Sequence, residues 1–585
     1  MKKIFLLILI VFYFSHNCYG RDFKKTIAMH EQASRNNEEA RDNKVNTNAP
    51  ITEILKLAKI GTFNSLNPYI IKGIAPPGIK GLVIESLMTW SPDEPFSLYP
   101  GIAEGIRTPE DRSWVEFKIN PKAKFSNGKK ITNKDIIFSW ETLKSYGRPH
   151  TRSYYSLVKD VKEIKKNVIR FTFSEKSNFE MPLIIGLMPI FSSEYWRNID
   201  FTKTTLEPFI SSGPYIISEI KTGKSITYTK NKNWWRKSSQ DSLGRNNFKK
   251  IKYDFYRDQD ISLQAFLSGE YDVNIETDAV RWSTAYHENS KNIIIKKTFQ
   301  KKSPSGIEGI ILNSRQFPFK DRNVRKAISI IFPYTFINEI LNHGLLQKTY
   351  GPWDNSDLAA TLMPSKTTNK ILKKYKDTIS IKALDKINKK ELKEREAYRQ
   401  SLIILKKSGW QLINNKMTHT DTKEILNFEV ITNQNRMQRL LLVWKDKLKK
   451  IGINLSIKIL DSSQFQNRLQ SFDFNAIIFE YYMSLSPGNE QAIYWGSWAS
   501  DQKGSRNYAG IKHPAIDEVI NKISNAKNRS ELIEYTKTLD RLLRAGHWII
   551  PLYHDPLHRI AFKSGFQIPD ELPLYGFNPW STWKK

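Results

Sequence analysis

Between Leu426 and Glu480 the apolar residues switch from strand spacing to helix spacing and back, twice. LNFEVIT reads as a strand, NQNRMQRLLLVWKDKLKKIG as a helix, INLSIKIL as a strand, DSSQFQNRLQS as a helix and FDFNAIIFE as a strand. Gly452 stands at the exit of the first helix, where a left-handed residue ends helices well. Parallel neighbours need a crossover, usually a helix. Two such units in succession therefore predict a parallel, doubly wound α/β sheet with helices on both faces. Sheets of this kind take ligands beyond the C-terminal ends of their strands. Here those ends are Asn433 to Arg436 and Glu480 to Tyr482.

The chain has room for more than one such unit, since 585 residues correspond to about three or four lobes of roughly 150 residues. Apolar residues make up 40% and aromatic residues 12%, with 15 Trp, which excludes a disordered chain. Strands and helices alternate from Ile51 onward. Residues 21–50 are polar, without an apolar period, and read as a loosely held N-terminal arm.

The opening stretch, MKKIFLLILIVFYFSHNCYG, puts two lysines before an apolar run from Ile4 to Phe14 and ends in small and polar residues. This is the pattern of a secretory signal, with cleavage expected after Gly20. Cys18, the one cysteine, lies inside it, so the mature chain is expected to hold no disulfide, thiolate nucleophile or cysteine-ligated metal. No later apolar run reaches the roughly 18 residues of a membrane span, and a soluble exported protein is expected. Lys and Arg exceed Asp and Glu by 91 to 59, a formal charge of +32, or +30 once Lys2 and Lys3 leave with the signal. The basic residues are scattered and export leaves little nucleic acid to bind, so no nucleic-acid partner is expected. Adhesion to an anionic membrane face stays open.

No motif announces catalysis. G-x-S-x-G, G-x-x-x-x-G-K-[ST] and a G-x-G-x-x-G after a strand are all absent. His554 and His558 are four apart, but Pro556 breaks the helix that would aim both rings one way, and no Glu follows His554. Neither a metal nor another cofactor is expected. In KFSNGKKITNKDIIFSW (124–140), Asn127-Gly128 supplies a tight turn, and Thr132 with Asp135 forms a capping-box variant that starts a helix. By spacing this corner is scaffold. Trp353, Trp495, Trp498 and Tyr508 sit among Gly, Ser and Asn, a setting that favours loops at a cleft rim.

The same corner, with GTFNSLNPY (61–69), SGPYII (212–217), FLSGEYDV (266–273) and NSRQFPFKDRNVRKAIS (313–329), resembles the extracytoplasmic solute-binding proteins of peptide ABC importers, the oligopeptide/dipeptide/nickel group. DEPFSLYPGIAE (93–104), DRSWVEFKINPKAKF (111–125), GWQLINNK (409–416), LKKIGINLSIKILDSSQFQNRLQS (448–471) and LDRLLRAGHWIIPLYH (539–554) are most similar to its Yej-type members. The resemblance covers nearly all of the mature chain in order. It implies a two-lobed, hinged, type II periplasmic-binding-protein fold: lobe I at 51–302 with a small subdomain near 76–204, lobe II at 303–547, and a return to lobe I at 548–585. It implies a periplasmic monomer that captures a peptide or peptide-like solute in the interlobe cleft. Delivery would be to an inner-membrane ABC permease with its ATPase subunits, and no bond would be broken.

Strand ends and resemblance together give Lys72, Asn433, Arg436, Glu480, Tyr482 and Trp495 as candidate ligand-binding residues. The acid that holds a peptide α-amino group in similar oligopeptide binders falls here on Tyr482, with Glu480 the nearest acid. A second acidic cleft position falls on Lys72. The rival readings are the same fold around nickel, haem or an oligosaccharide, an exported hydrolase assembled from distant residues, and an adhesive surface protein.

Overall fold

The computed structural model describes residues 22–30, 45–174, 179–239, 242–286 and 293–584. The expected signal segment, Cys18 and most of residues 31–50 of the expected arm lie outside the described residues. The chain divides into two compact units, one comprising Met1–Glu276, Tyr286–Phe299 and Arg559–Lys585, the other Thr277–Ala285 and Gln300–His558.

The first unit starts with β1 (Ile27–Ala28) and β2 (Thr52–Ile60) and continues through β3 (Met88–Trp90), β4 (Ser97–Pro100), β5 (Ala103–Arg107) and β6 (Trp114–Ile119). Helix α1 (Asn133–Tyr146), β7 (Val158–Lys165), β8 (Val168–Phe173), β9 (Tyr215–Lys221), β10 (Ser225–Lys230), β11 (Phe248–Tyr256), β12 (Val273–Glu276) and β13 (Ile294–Gln300) follow. Its sheets run β1-β4-β3, β5-β6-β8-β7 and β2-β11-β10-β9, and β2 is parallel to β11. Phe117 and Phe171 from the second sheet and Leu55, Tyr228 and Phe248 from the third share one core cluster.

The arm is not loose where it is described. Ile27 and Ala28 pair with Leu98 and Ser97, and Met29 is buried. The Arg112 guanidinium donates to the carbonyls of Ala28 and Phe179, each at 2.8 Å, while stacking on the Phe179 ring. Edge pairing through backbone groups leaves no apolar period in the sequence, which is why the segment reads as unstructured.

The 124–140 corner is scaffold. Gly128 takes φ +84° in the turn, and its N–H donates to Phe125 O at 2.9 Å. Thr132 donates from N and Oγ1 to Asp135 Oδ2, at 2.9 and 2.7 Å, at the start of α1. The other Asp135 oxygen accepts from Ser193 N and Oγ, at 2.9 and 2.8 Å, so one carboxylate starts α1 and anchors the chain some sixty residues on.

The second unit opens with β14 (Ile307–Leu312) and carries two short helices, α2 (Lys366–Leu372) and α3 (Thr378–Ala383). Next come β15 (Asn427–Thr432), α4 (Met437–Lys449), β16 (Asn454–Ile459), α5 (Ser462–Ser471), β17 (Ala476–Tyr481), α6 (Arg529–Gly546) and β18 (Ile549–Pro551). All five elements read between Leu426 and Glu480 are present, and β15 is parallel to both β16 and β17. Met437, Leu441 and Trp444 of α4 join Val430 and Ile478 in one core, and Phe465 and Leu469 of α5 join Ile431 and Ile477 in another, so helices cover both faces. The sheet order is β16-β15-β17-β14-β18, and β14 runs antiparallel to both of its neighbours. The sheet is therefore mixed and not wholly parallel, because β14 and β18 enter from outside the β-α-β run and need no crossover. The chain returns to the first unit at Arg559, later than residue 548, because Ile549–Pro551 first pairs with β14. β19 (Leu557–Lys563) then completes the sheet β12-β19-β13.

Replacing Asp135 by Ala removes a cap, typically about 1 kcal/mol, and leaves the Ser193 N–H short of an acceptor. Chemical denaturation of Asp135→Ala is expected to show a loss of about 2 kcal/mol with ligand affinity unchanged.

Candidate functional site

The strand ends of the second unit carry a compact polar cluster. β17 ends at Tyr481, and β15 is followed by four residues, Asn433 to Arg436, before α4 begins. Asn433 and Arg436 are exposed there because Thr432 Oγ1 accepts from Gln434 N at 3.1 Å and Met437 N donates back to Gln434 O at 3.1 Å, a turn that delays the helix. The antiparallel register of β14 on β17 sets Glu308 opposite Glu480. Arg436 Nη2 bonds Glu308 Oε1, and Tyr482 Oη donates to Glu480 Oε2 at 2.8 Å.

Four functional groups thus meet: two carboxylates, a guanidinium and a phenol. Burial, with Glu480 alongside, raises the Glu308 carboxyl above its usual range, against the opposing pull of Arg436. The Tyr482 phenol is pushed up to about 12 by partial desolvation, by its bond to Glu480 and by the negative charge of Glu480 and Glu308. Arg436 and Tyr482 remain 64% and 75% exposed, so both are reachable by a solute. Gly306 at φ +67° makes room for this arrangement, since a Cβ there would lie 2.6 Å from the Tyr481 carbonyl oxygen.

Of the expected site residues, the structure brings together Arg436, Glu480 and Tyr482, with Asn433 on the same turn as Arg436. Lys72 lies in the first unit, exposed in the loop between Ile71 and Ile74. Trp495 is different. It is fully buried, 4.6 Å from the Tyr481 ring, and its indole N–H donates to Gln491 Oε1 at 3.0 Å. Trp353 and Tyr508 are buried as well, and of the four rim aromatics only Trp498 is exposed, at 59%. Gly, Ser and Asn around these rings mark tight loops packed on a core. Sequence reasoning missed Glu308, whose partner strand lies far along the chain.

Among the described residues no three His, Cys, Asp or Glu side chains form a metal-holding group. His554 Nδ1 lies 3.0 Å from Thr349 Oγ1, and desolvation lowers both His554 and His558, the latter to about 4. No described helix is long and apolar enough to cross a membrane.

The sequence profile described as bacterial extracellular solute-binding proteins, family 5 Middle, matches residues 97–504. The chain belongs to this family. It is 34% identical to a probable peptide-binding protein YejA of Agrobacterium fabrum, over 92% of this chain and 90% of that one. A peptidoglycan-binding protein YepA of the same organism is 32% identical, over 90% and 89% of the two chains. Among solved structures, the oligopeptide-binding protein AppA from Bacillus subtilis, in complex with a nonapeptide, superposes with a TM-score of 0.69 at 19% identity, covering 92% of this chain and 100% of that one. That likeness shows a common fold, and this family-5 chain shares it over nearly its whole length.

The burial contrast is measurable. Trp495→Ala is expected to cost about 3–5 kcal/mol of stability, as for other core Trp truncations. Tyr482→Ala is expected to cost less than about 0.5 kcal/mol, as for an exposed side chain. Urea unfolding of the two variants reads the difference.

Proposed function

We propose that this chain is the substrate-binding component of an ABC importer, capturing peptides or peptide-like solutes and delivering them to an inner-membrane permease with its ATPase subunits. Membership of a solute-binding family supports the reading, as do relatives named for peptide and peptidoglycan binding. The observation that carries it is the polar cluster of Glu480, Tyr482, Arg436 and Glu308 at the strand ends of the second unit, with Tyr482 and Arg436 exposed. Arg436 pairs with Glu308, while Glu480 accepts from Tyr482 and pairs with no cation among the described residues, which suits it to an ammonium group. In this reading Glu480 accepts hydrogen bonds from the ligand's ammonium group, with Glu308 and Arg436 behind it. Asn433 and Tyr482 bond the ligand main chain. The cluster holds no nucleophile paired with a base, and binding alone is the task. Residues 1–20 direct export, and the periplasm is the working compartment of the monomer.

A hydrogen bond to a charged partner contributes about 1.5–3 kcal/mol. Glu480→Gln is therefore expected to weaken binding of short peptides with free N-termini by about 10- to 100-fold, read by isothermal titration calorimetry, and to leave N-acetylated peptides unaffected. Native mass spectrometry of protein taken directly from its secretory compartment is expected to show a bound peptide-like solute. Cleavage of added peptides, or unchanged affinity in both Arg436→Ala and Tyr482→Ala, sinks the reading.

A further inference from the structure

One stretch of the second unit is strongly basic. Residues 366–390 hold nine Lys against two Asp, a net +7 in 25 residues, whereas all 585 residues carry +32. All nine lysines are exposed. Lys366 and Lys370 of α2 and the following Lys373 are spaced four and three apart on one face, while Thr368, Ile371 and Leu372 are buried. Lys374 and Lys382 pair with Glu518 and Asp385. Lys366, Lys370, Lys373, Lys376, Lys386 and Lys390 make no ion pair among the described residues.

Exposed aliphatic side chains accompany these lysines: Leu362 at 49%, Met363 at 59% and Ile381 at 49%. They are held together from below. Arg541 of α6, only 2% exposed, donates to Ala383 O and Thr361 O at 2.6 Å each, and to Asp385 O. Ile387 N donates to Leu362 O at 2.9 Å. Thr368 Oγ1 lies 2.8 Å from Thr538 Oγ1, which seats α2 on the same helix. The loop at 361–363 and both short helices therefore form one fixed patch.

We propose that this patch docks on the anionic lipid surface of a membrane, with the unpaired lysines over the headgroups and Leu362, Met363 and Ile381 inserted between them. Protein interfaces are depleted in Lys and enriched in aromatic residues and Arg. Lysines beside aliphatic tips are what a peripheral lipid-binding face requires. The proposal is independent of what solute the chain carries.

The test uses the full mature protein and sedimentation with vesicles of phosphatidylcholine, with or without about 30% phosphatidylglycerol. Binding is expected only to the anionic vesicles and is expected to weaken as salt rises. Each lysine near such a surface is worth about fivefold in affinity. K370Q/K373Q/K376Q should then lose about 100-fold, while K159Q/K165Q/K166Q, equally exposed on the β7–β8 hairpin, should lose less than about threefold. L362S/M363S should bind more weakly with its salt dependence intact. The proposal fails if the parent protein ignores anionic vesicles, as it would were the true partner an acidic protein. It also fails if the two triple variants lose affinity equally, or if L362S/M363S binds as tightly as the parent.

Discussion

The second unit depends on one pairing, the antiparallel register of β14 on β17, from Ile307 opposite Tyr481 to Leu312 opposite Ala476. It sends Ile307, Ile311 and Ile477 to one core and Ile310, Leu312 and Ile478 to the other. Side chains alternate with period two, so a slip of one residue would turn both apolar sets to the wrong face. The same register sets Glu308 against Glu480, within reach of Arg436. The polar cluster is therefore specified by the packing beneath it. It needs no strained backbone beyond Gly306, where the chain passes too close to Tyr481 for any side chain.

Sequence pattern carries the part of this that is local. The strands and helices of 426–480 are legible because helix and sheet periods differ and Gly452, at φ +75°, closes the first helix. The start of α4 at Met437 was less so, since a polar stretch such as NQNR continues a helix or precedes one equally well. What joins distant segments leaves no periodic trace. The antiparallel entry of β14, the docking of Ile27–Ala28 on β4 and the role of Glu308 all rest on backbone pairing across many residues. Trp495 was misplaced for another reason. Its neighbours are loop-forming residues, yet α-helical spacing lets Gln491 satisfy the indole N–H, and the ring can then be buried without cost to its polar atom.

The surplus of basic residues shapes both units. With 91 Lys and Arg to 59 Asp and Glu, carboxylates are too few to pair every cation. Arg112, Arg315, Arg325 and Arg541 instead donate to main-chain carbonyls, of Phe179, Ser500, Gly546 and Ala383 among others. Burial lowers the first three to about 10. Each of these bonds joins segments more than sixty residues apart in the chain, so the arginines act as staples. Carboxylates also gather round single arginines: Arg544 bonds both Asp540 and Asp354, and Arg436 bonds Glu308 with Glu480 standing opposite on the next strand. Bringing like charges side by side costs free energy. At Glu308 that cost adds to burial in raising the carboxyl, and the pull of Arg436 opposes both.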